Sequence, residues 1–238
     1  MNSSKTVLET WGITSEFLTK VVLRNPSLRG MLLGYIAEVK LWEIFEKDPR
    51  VSELRKDDDH DRSRKGDLVV TYDSTEFRLE VKSLQTNSIE VEDENGNWIK
   101  RIIKVGNKYT VNPQYSALRS IHLKQARFRG GVQCDASDRR EIVIPGHGSL
   151  LTTCLLVGEF DILAAGLFTF REEWDFSFAL NRDLPRSCHK NYPETARCML
   201  IKSMVPVTWP LAPPFVSDPF SLMDRLIKER RKTECLTA

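Results

Sequence analysis

The sequence predicts a mixed α/β fold in which a central mixed β-sheet is flanked by helices. Three observations carry this reading. Helical spacing of apolar residues dominates both ends of the chain, short alternating or apolar segments fill its middle, and turn signals separate those segments. The 238 residues suit a single domain, with a core over about residues 28–180 and a C-terminal extension over about residues 181–238.

An opening helix is expected within Ser3 to Leu23, broken at "RNPS", where Pro26 disfavours continuation. A second helix is expected from Ser27 or Leu28 to Glu46. Its stripe of Met31, Tyr35, Glu38, Trp42 and Phe45 follows the three-four spacing that puts side chains on one face. Every member is apolar or aromatic except Glu38, and a carboxylate there is costly unless it has a partner. After the polar loop "KDDDHDRSRKG", strands are expected at Asp67–Tyr72 and Glu76–Ser83. Two more follow near Ser88–Glu92 and Trp98–Val105, joined through Asn95-Gly96, a strong hairpin signal. Tyr115 to Arg129 reads as helical. "EIVIPGHGSLLTTCLLV" and "EFDILAAGLFTF" are apolar runs of strand type, and Trp174, Phe176 and Phe178 alternate in "EWDFSFAL". Pro-rich "WPLAPPFVSDP" is expected as a surface connection, before a last helix with Asp218 as cap and Pro219 in its first turn.

Hydrophobic residues make up 41% and charged residues 29%, as in ordinary soluble globular proteins. No run of about 18 apolar residues is present, so no membrane partner is expected. The N-terminal "MNSSKTVLETWGITSEF" lacks the apolar core of a secretory signal. Five cysteines at no regular spacing suit a reduced, cytoplasmic chain. Net charge is only +2 but unevenly spread. Asn95 to Cys134 holds no Asp or Glu, yet contains Lys100, Arg101, Lys104, Lys108, Arg119, Lys124, Arg127 and Arg129, interleaved with Tyr109, Tyr115 and Phe128. Such a segment reads as a patch facing a polyanion or as a solvated basic face.

The stretch "GDLVVTYDSTEFRLEVKS", Gly66 to Ser83, carries the chemistry. With Asp73-Ser74 at the centre of a turn, Leu68 pairs with Leu79 and Val70 with Phe77, which builds one apolar face. The same register sets Asp67 opposite Glu80, with Arg78 and Lys82 on that second face. Two opposed carboxylates repel, and a proton, a cationic side chain or a bound divalent metal would offset the repulsion. Magnesium takes one or two carboxylates, with water and substrate phosphate completing its shell.

This pattern resembles the PD-(D/E)xK nuclease superfamily, whose core has the restriction-endonuclease-like fold. Asp67 in "KGDLVV" matches the family's first acid, and Glu80-Val81-Lys82 in "LEVKS" its acid-x-lysine element. Glu38 matches the glutamate that many members supply from a preceding helix, and Gln85 falls where several keep another polar residue. The resemblance implies Mg²⁺, with Mn²⁺ as the alternative ion, held by Asp67, Glu80, the Val81 carbonyl and Glu38, with Lys82 orienting or deprotonating a water. It implies phosphodiester hydrolysis in double-stranded DNA by a type II-like restriction or defence endonuclease, acting as a homodimer. A junction-resolvase type of repair nuclease and a non-catalytic DNA-binding module of the same fold are the alternatives. Lys100, Arg101, Lys104, Lys108, Arg119, Lys124, Gln125, Arg127 and Arg129 are the expected DNA-binding residues.

Competing motifs are weaker. "DDDHD" lacks calcium-loop spacing, "SCHK" lacks paired zinc ligands, and "RGG" and "GHG" match no phosphate-binding loop. Glu159 and Asp161 alternate onto one strand face as a reserve acidic pair.

Overall fold

The computed structural model describes residues 5–56, 66–122, 126–145 and 148–237. Seven helices and thirteen strands are distinguished among them. In chain order they are α1 (Val7–Trp11), α2 (Ser15–Arg24), α3 (Pro26–Phe45), β1 (Val51–Arg55), β2 (Leu68–Tyr72), β3 (Thr75–Ser83), β4 (Glu90–Glu92) and β5 (Trp98–Lys100). Next come β6 (Ile102–Val105), β7 (Lys108–Val111), α4 (Pro113–His122), β8 (Phe128–Gln133), β9 (Asp135–Ile144), β10 (Gly148–Cys154) and β11 (Ile162–Gly166). The chain closes with α5 (Phe168–Arg171), β12 (Phe176–Leu180), α6 (Glu194–Arg197), β13 (Met204–Trp209) and α7 (Pro219–Thr237).

The main sheet is mixed, in the order β1-β2-β3-β11-β12. Strands β1, β2 and β3 form an antiparallel meander, β11 runs parallel to β3, and β12 returns antiparallel to β11. A second sheet has the order β13-β8-β4-β5, and β9-β10 and β6-β7 are separate two-stranded ribbons. The expected mixed sheet and flanking helices are both present.

One face of the main sheet packs on helices. Leu68, Val70, Tyr72, Phe77, Leu79 and Val81 meet Ala37, Leu41 and Phe45 of α3 and Leu222, Met223 and Ile227 of α7. Burying each such side chain is worth about 1.5–3 kcal/mol. The other face packs on the second sheet, where Leu163, Ala165 and Ala179 join Val91, Phe128, Val132, Val205 and Val207. Residues 181–238 are therefore not an appended extension: β13 completes the second sheet and α7 covers the first. Nor is "WPLAPPFVSDP" wholly superficial, because Phe215 is buried and Val216 exchanges backbone hydrogen bonds with Phe178.

The opening helix is two helices. Gly12, at φ 63°, ends α1 in the left-handed region that favours glycine. Pro26 starts α3 rather than merely ending its predecessor, since the first helical position has no use for an N–H. The face α3 buries is Ala37, Leu41 and Phe45, while Met31 and Tyr35 of the expected stripe are exposed. The expected helix does not reach Arg129: α4 is described over Pro113–His122, and Arg129 lies in β8. In "LFTF" the strand gives way to the short α5. Asp218 caps α7 as expected, accepting from the Phe220 and Ser221 amides at 3.0 and 3.2 Å.

Candidate active site

The β2–β3 hairpin has the register that its apolar pattern dictates. Leu68 pairs with Leu79, Val70 with Phe77 and Tyr72 with Thr75, across a tight turn whose Asp73 and Ser74 have φ 44° and 61°. The ladder stops at Leu68, but the chain still follows β3 for one more residue: the Asp67 amide donates to the Leu79 carbonyl at 2.8 Å. Gly66 sits at φ 99°, and a Cβ there would lie 3.1 Å from the Leu79 oxygen and 3.3 Å from Arg78 Cβ. A glycine immediately before the acid thus lets the chain leave β3 at close range.

Past Asp67 no described strand pairs with β3 on its β2 side, and the Asp67 carboxylate occupies that edge. Its Oδ2 accepts from the Val81 amide at 2.7 Å. The N–H and C=O of one strand residue point to the same edge. The Val81 carbonyl therefore faces the same space as the Asp67 carboxylate.

Glu80 and Lys82 project from the opposite face to Val81, across from Leu163 and Ala165 of β11. Glu80 is only 8% exposed, and the Lys82 side chain is 25% exposed. Lys82 Nζ lies 2.5 Å from Glu80 Oε1. Burial pushes the Glu80 carboxyl up; Lys82 opposes that push, and the charges of Asp67 and Glu159 reinforce it, leaving Glu80 above the usual carboxylate range. Burial works against the Lys82 ammonium, but the charges of Glu80 and Asp67 and the hydrogen bond to Glu80 outweigh it. Lys82 is therefore held above its ordinary value. Asp67, Glu80 and Lys82 are electrostatically one cluster. Cys134 lies close enough to Lys82 and Glu80 to sense their charges, and burial pushes its thiol up to about 12.

Glu38 takes a different place. It lies on α3, which packs on the other face of the sheet, and Lys56 Nζ holds its Oε2 at 2.6 Å while also lying 4.8 Å over the Tyr35 ring. Lys56 was not among the expected site residues: it opens the expected polar loop "KDDDHDRSRKG", and its place just after β1, beside the helix acid, comes from the structure. Among the described residues no group of three or more His, Cys, Asp or Glu side chains is placed to hold a metal ion, so Glu38 does not join Asp67 and Glu80 in one ligand set. What remains is two carboxylates and a strand carbonyl. That set falls short of a zinc or calcium cage but fits an ion of the magnesium type, which keeps several waters and takes one or two carboxylates.

Gln85 lies three residues past Lys82, where residues 83–86 line a cavity of about 200 Å³ with Phe168 and Trp174, whose rings stack at 4.3 Å. The reserve acids are occupied. Glu159 pairs with Arg140 and accepts from the Leu156 amide at 2.7 Å. Asp161 accepts from the Arg78 amide at 2.8 Å and pairs with Arg230 at 2.6 Å.

The basic segment is less one-signed in space than in sequence. Arg127 pairs with Glu92 at 3.0 Å, and Arg129 pairs with Glu90 while lying 4.4 Å over the Trp98 ring. The two acids sit just before the acid-free segment, on β4, and the β4–β8 ladder sets Glu90 opposite Arg129. Arg101 donates to the Thr169 carbonyl at 3.0 Å. Lys100, Lys104 and Lys108 are exposed, the last two on the β6–β7 ribbon. Lys124 and Gln125, like the "DDDHD" loop, lie outside the described residues, as does the side chain of Arg119.

No helix among the described residues is long and apolar enough to cross a membrane. Comparison with protein-family models, curated proteins and solved structures finds no match to this chain.

Proposed function

We propose that this chain is a metal-dependent DNA endonuclease, with Asp67, Glu80 and Lys82 as its catalytic residues. One observation carries the proposal: a buried acid and a half-buried lysine paired on one strand, beside a second carboxylate at the edge where the neighbouring strand's ladder stops. A stable core has no use for such an arrangement, because a buried ion pair of this kind is no better than apolar packing. It suits a site that must hold positive charge next to a phosphate.

Asp67, Glu80 and the Val81 carbonyl are the groups that would hold Mg²⁺ or Mn²⁺. The ion would supply charge neutralisation at the scissile phosphate and a water of lowered pKa. The chain's own contribution is to fix the donors. The Val81 amide orients Asp67, and the sheet fixes Glu80 against β11. Lys82, held protonated by its acidic neighbours, would donate to a phosphate oxygen rather than take a proton. Among the described residues, Lys100, Lys104 and Lys108 are exposed cations that would meet the DNA backbone.

The test is cleavage of supercoiled plasmid and phage DNA in Mg²⁺ and in EDTA, beside Asp67→Ala and Lys82→Ala. Metal-dependent cutting lost by at least about a hundredfold in both variants is the expected result. Discrete bands would mark a sequence-specific enzyme of the restriction type, and a smear a non-specific or structure-selective one. Variants that cut like the wild type would overturn the assignment, and DNA binding without cutting would leave a binding module.

A further inference from the structure

Helices α1 and α2 bury no residue at all. Helices of five and ten residues are too short to be stable in water on their own, and most helical stability in proteins comes from packing an apolar face. Yet residues 7–39 carry eight of the fourteen large apolar side chains that the described surface exposes, among them Trp11, Phe17 and Leu23 and the α3 stripe of Met31, Tyr35 and Val39. At roughly 100 Å² each, the six on α2 and α3 offer on the order of 600 Å², approaching what one partner contributes to a standard protein–protein interface. Monomers rarely leave that much apolar surface uncovered in one region.

No other described residue covers this surface. The segments outside the described residues read MNSS, DDDHDRSRK, LKQ, GH and a final Ala, and between them they hold only Met1 and Leu123 as large apolar residues. The charge pattern favours a second copy as the occupant. Helix α2 carries Glu16 near its start and Lys20 and Arg24 towards its end, four residues apart and therefore along one face, all three exposed. Neither Lys20 nor Arg24 has an acidic partner among the described residues. Set antiparallel against its own copy, such a helix brings Glu16 of each molecule towards the basic end of the other, and a two-fold contact makes that exchange twice.

We infer that α2 and the outer stripe of α3 form a two-fold interface between copies of this chain. The inference does not depend on the nuclease reading. Sedimentation velocity from roughly 1 to 100 µM tests it, because a dimer formed by mass action dissociates on dilution. The wild type is expected to dimerise, with Phe17→Glu and Met31→Glu each weakening the dimer by about tenfold or more. Glu16→Lys and the pair Lys20→Glu with Arg24→Glu should each weaken it, and all three changes together should restore it. These positions are exposed, so far-UV circular dichroism should stay that of the wild type. A wild type monomeric throughout, a dimer indifferent to Phe17→Glu and Met31→Glu, or a triple charge reversal no better than its parts would each overturn the interface.

Discussion

Replacing Lys82 by Met removes the cation that pairs with Glu80 beside Asp67. Breaking a buried ion pair by removing one partner destabilises by about 3–5 kcal/mol. The quarter exposure of the Lys82 side chain puts this case at the lower end, about 3 kcal/mol, because water reaches part of the pair. For a chain of this length that is a fall of about 6–12 °C in Tm. The loss has a definite pH dependence. Burial raises the Glu80 carboxyl in the folded state even with Lys82 present, and removing Lys82 raises it further. A raised acid makes the native state bind protons more tightly than the unfolded chain. Its stabilising effect is complete below the unfolded value of about 4.3 and is lost as pH climbs through the raised folded value. Lys82→Met should therefore cost little at pH 5 and most at pH 8. Adding Glu80→Leu should bring stability back to within about 1 kcal/mol of the wild type or above it, because well-packed apolar residues replace a buried pair at no loss. Urea melts of the single and double variants at both pH values provide the assay. A Lys82→Met loss under about 0.5 kcal/mol at pH 8, a loss that shrinks as pH rises, or a double variant that simply adds the two single losses would refute the reasoning.

Other consequences are more local. Asp73 and Ser74 are non-glycine residues at positive φ in a two-residue hairpin turn, so replacing them with Asn-Gly should raise stability by about 1 kcal/mol; an unchanged or lower Tm would contradict the turn geometry. Asp218→Ala removes the only side-chain cap described at the start of α7 and should cost about 1 kcal/mol, whereas no change in a thermal melt would mean the cap is idle. Cys188, Cys198 and Cys235 are exposed, while Cys134 and Cys154 are buried and the Cys134 thiol is pushed up to about 12. A thiol reagent at neutral pH should therefore modify three groups quickly and the other two only on unfolding. Five fast groups would show that the wall behind Lys82 is open.

The hairpin was readable because two independent signals agreed: a tight turn at Asp73-Ser74 and apolar residues alternating away from it on both sides, a combination that only one register satisfies. That register alone places Asp67, Glu80 and Lys82 together. The α3 stripe was half readable. Three-four spacing finds an apolar face but not which apolar face meets the sheet, and here Ala37 and Leu41 displaced Met31 and Tyr35 because the amino-terminal half of the helix projects past the core. The basic segment misled for a spatial reason. A stretch without acids in sequence can still lie beside acids on a neighbouring strand, and Glu90 and Glu92 reach Arg129 and Arg127 across the β4–β8 ladder. The same limit hid the Glu38–Lys56 pair, which joins a helix to the end of a strand.

The order of the main sheet also bears on how the chain is made. Strands β1 to β3 are local and can pair as soon as they are synthesised, but β3 must wait about 80 residues for its parallel neighbour β11. Closing a loop of that length costs entropy before any parallel pairing rewards it. Until β11 emerges, the nascent meander shows a nine-residue strand with one unpaired edge, the very strand that bears Glu80 and Lys82. Unpaired edges invite pairing with other chains. The four charges of that strand, Glu76, Arg78, Glu80 and Lys82, are therefore well placed to keep that edge soluble while the protein is still incomplete.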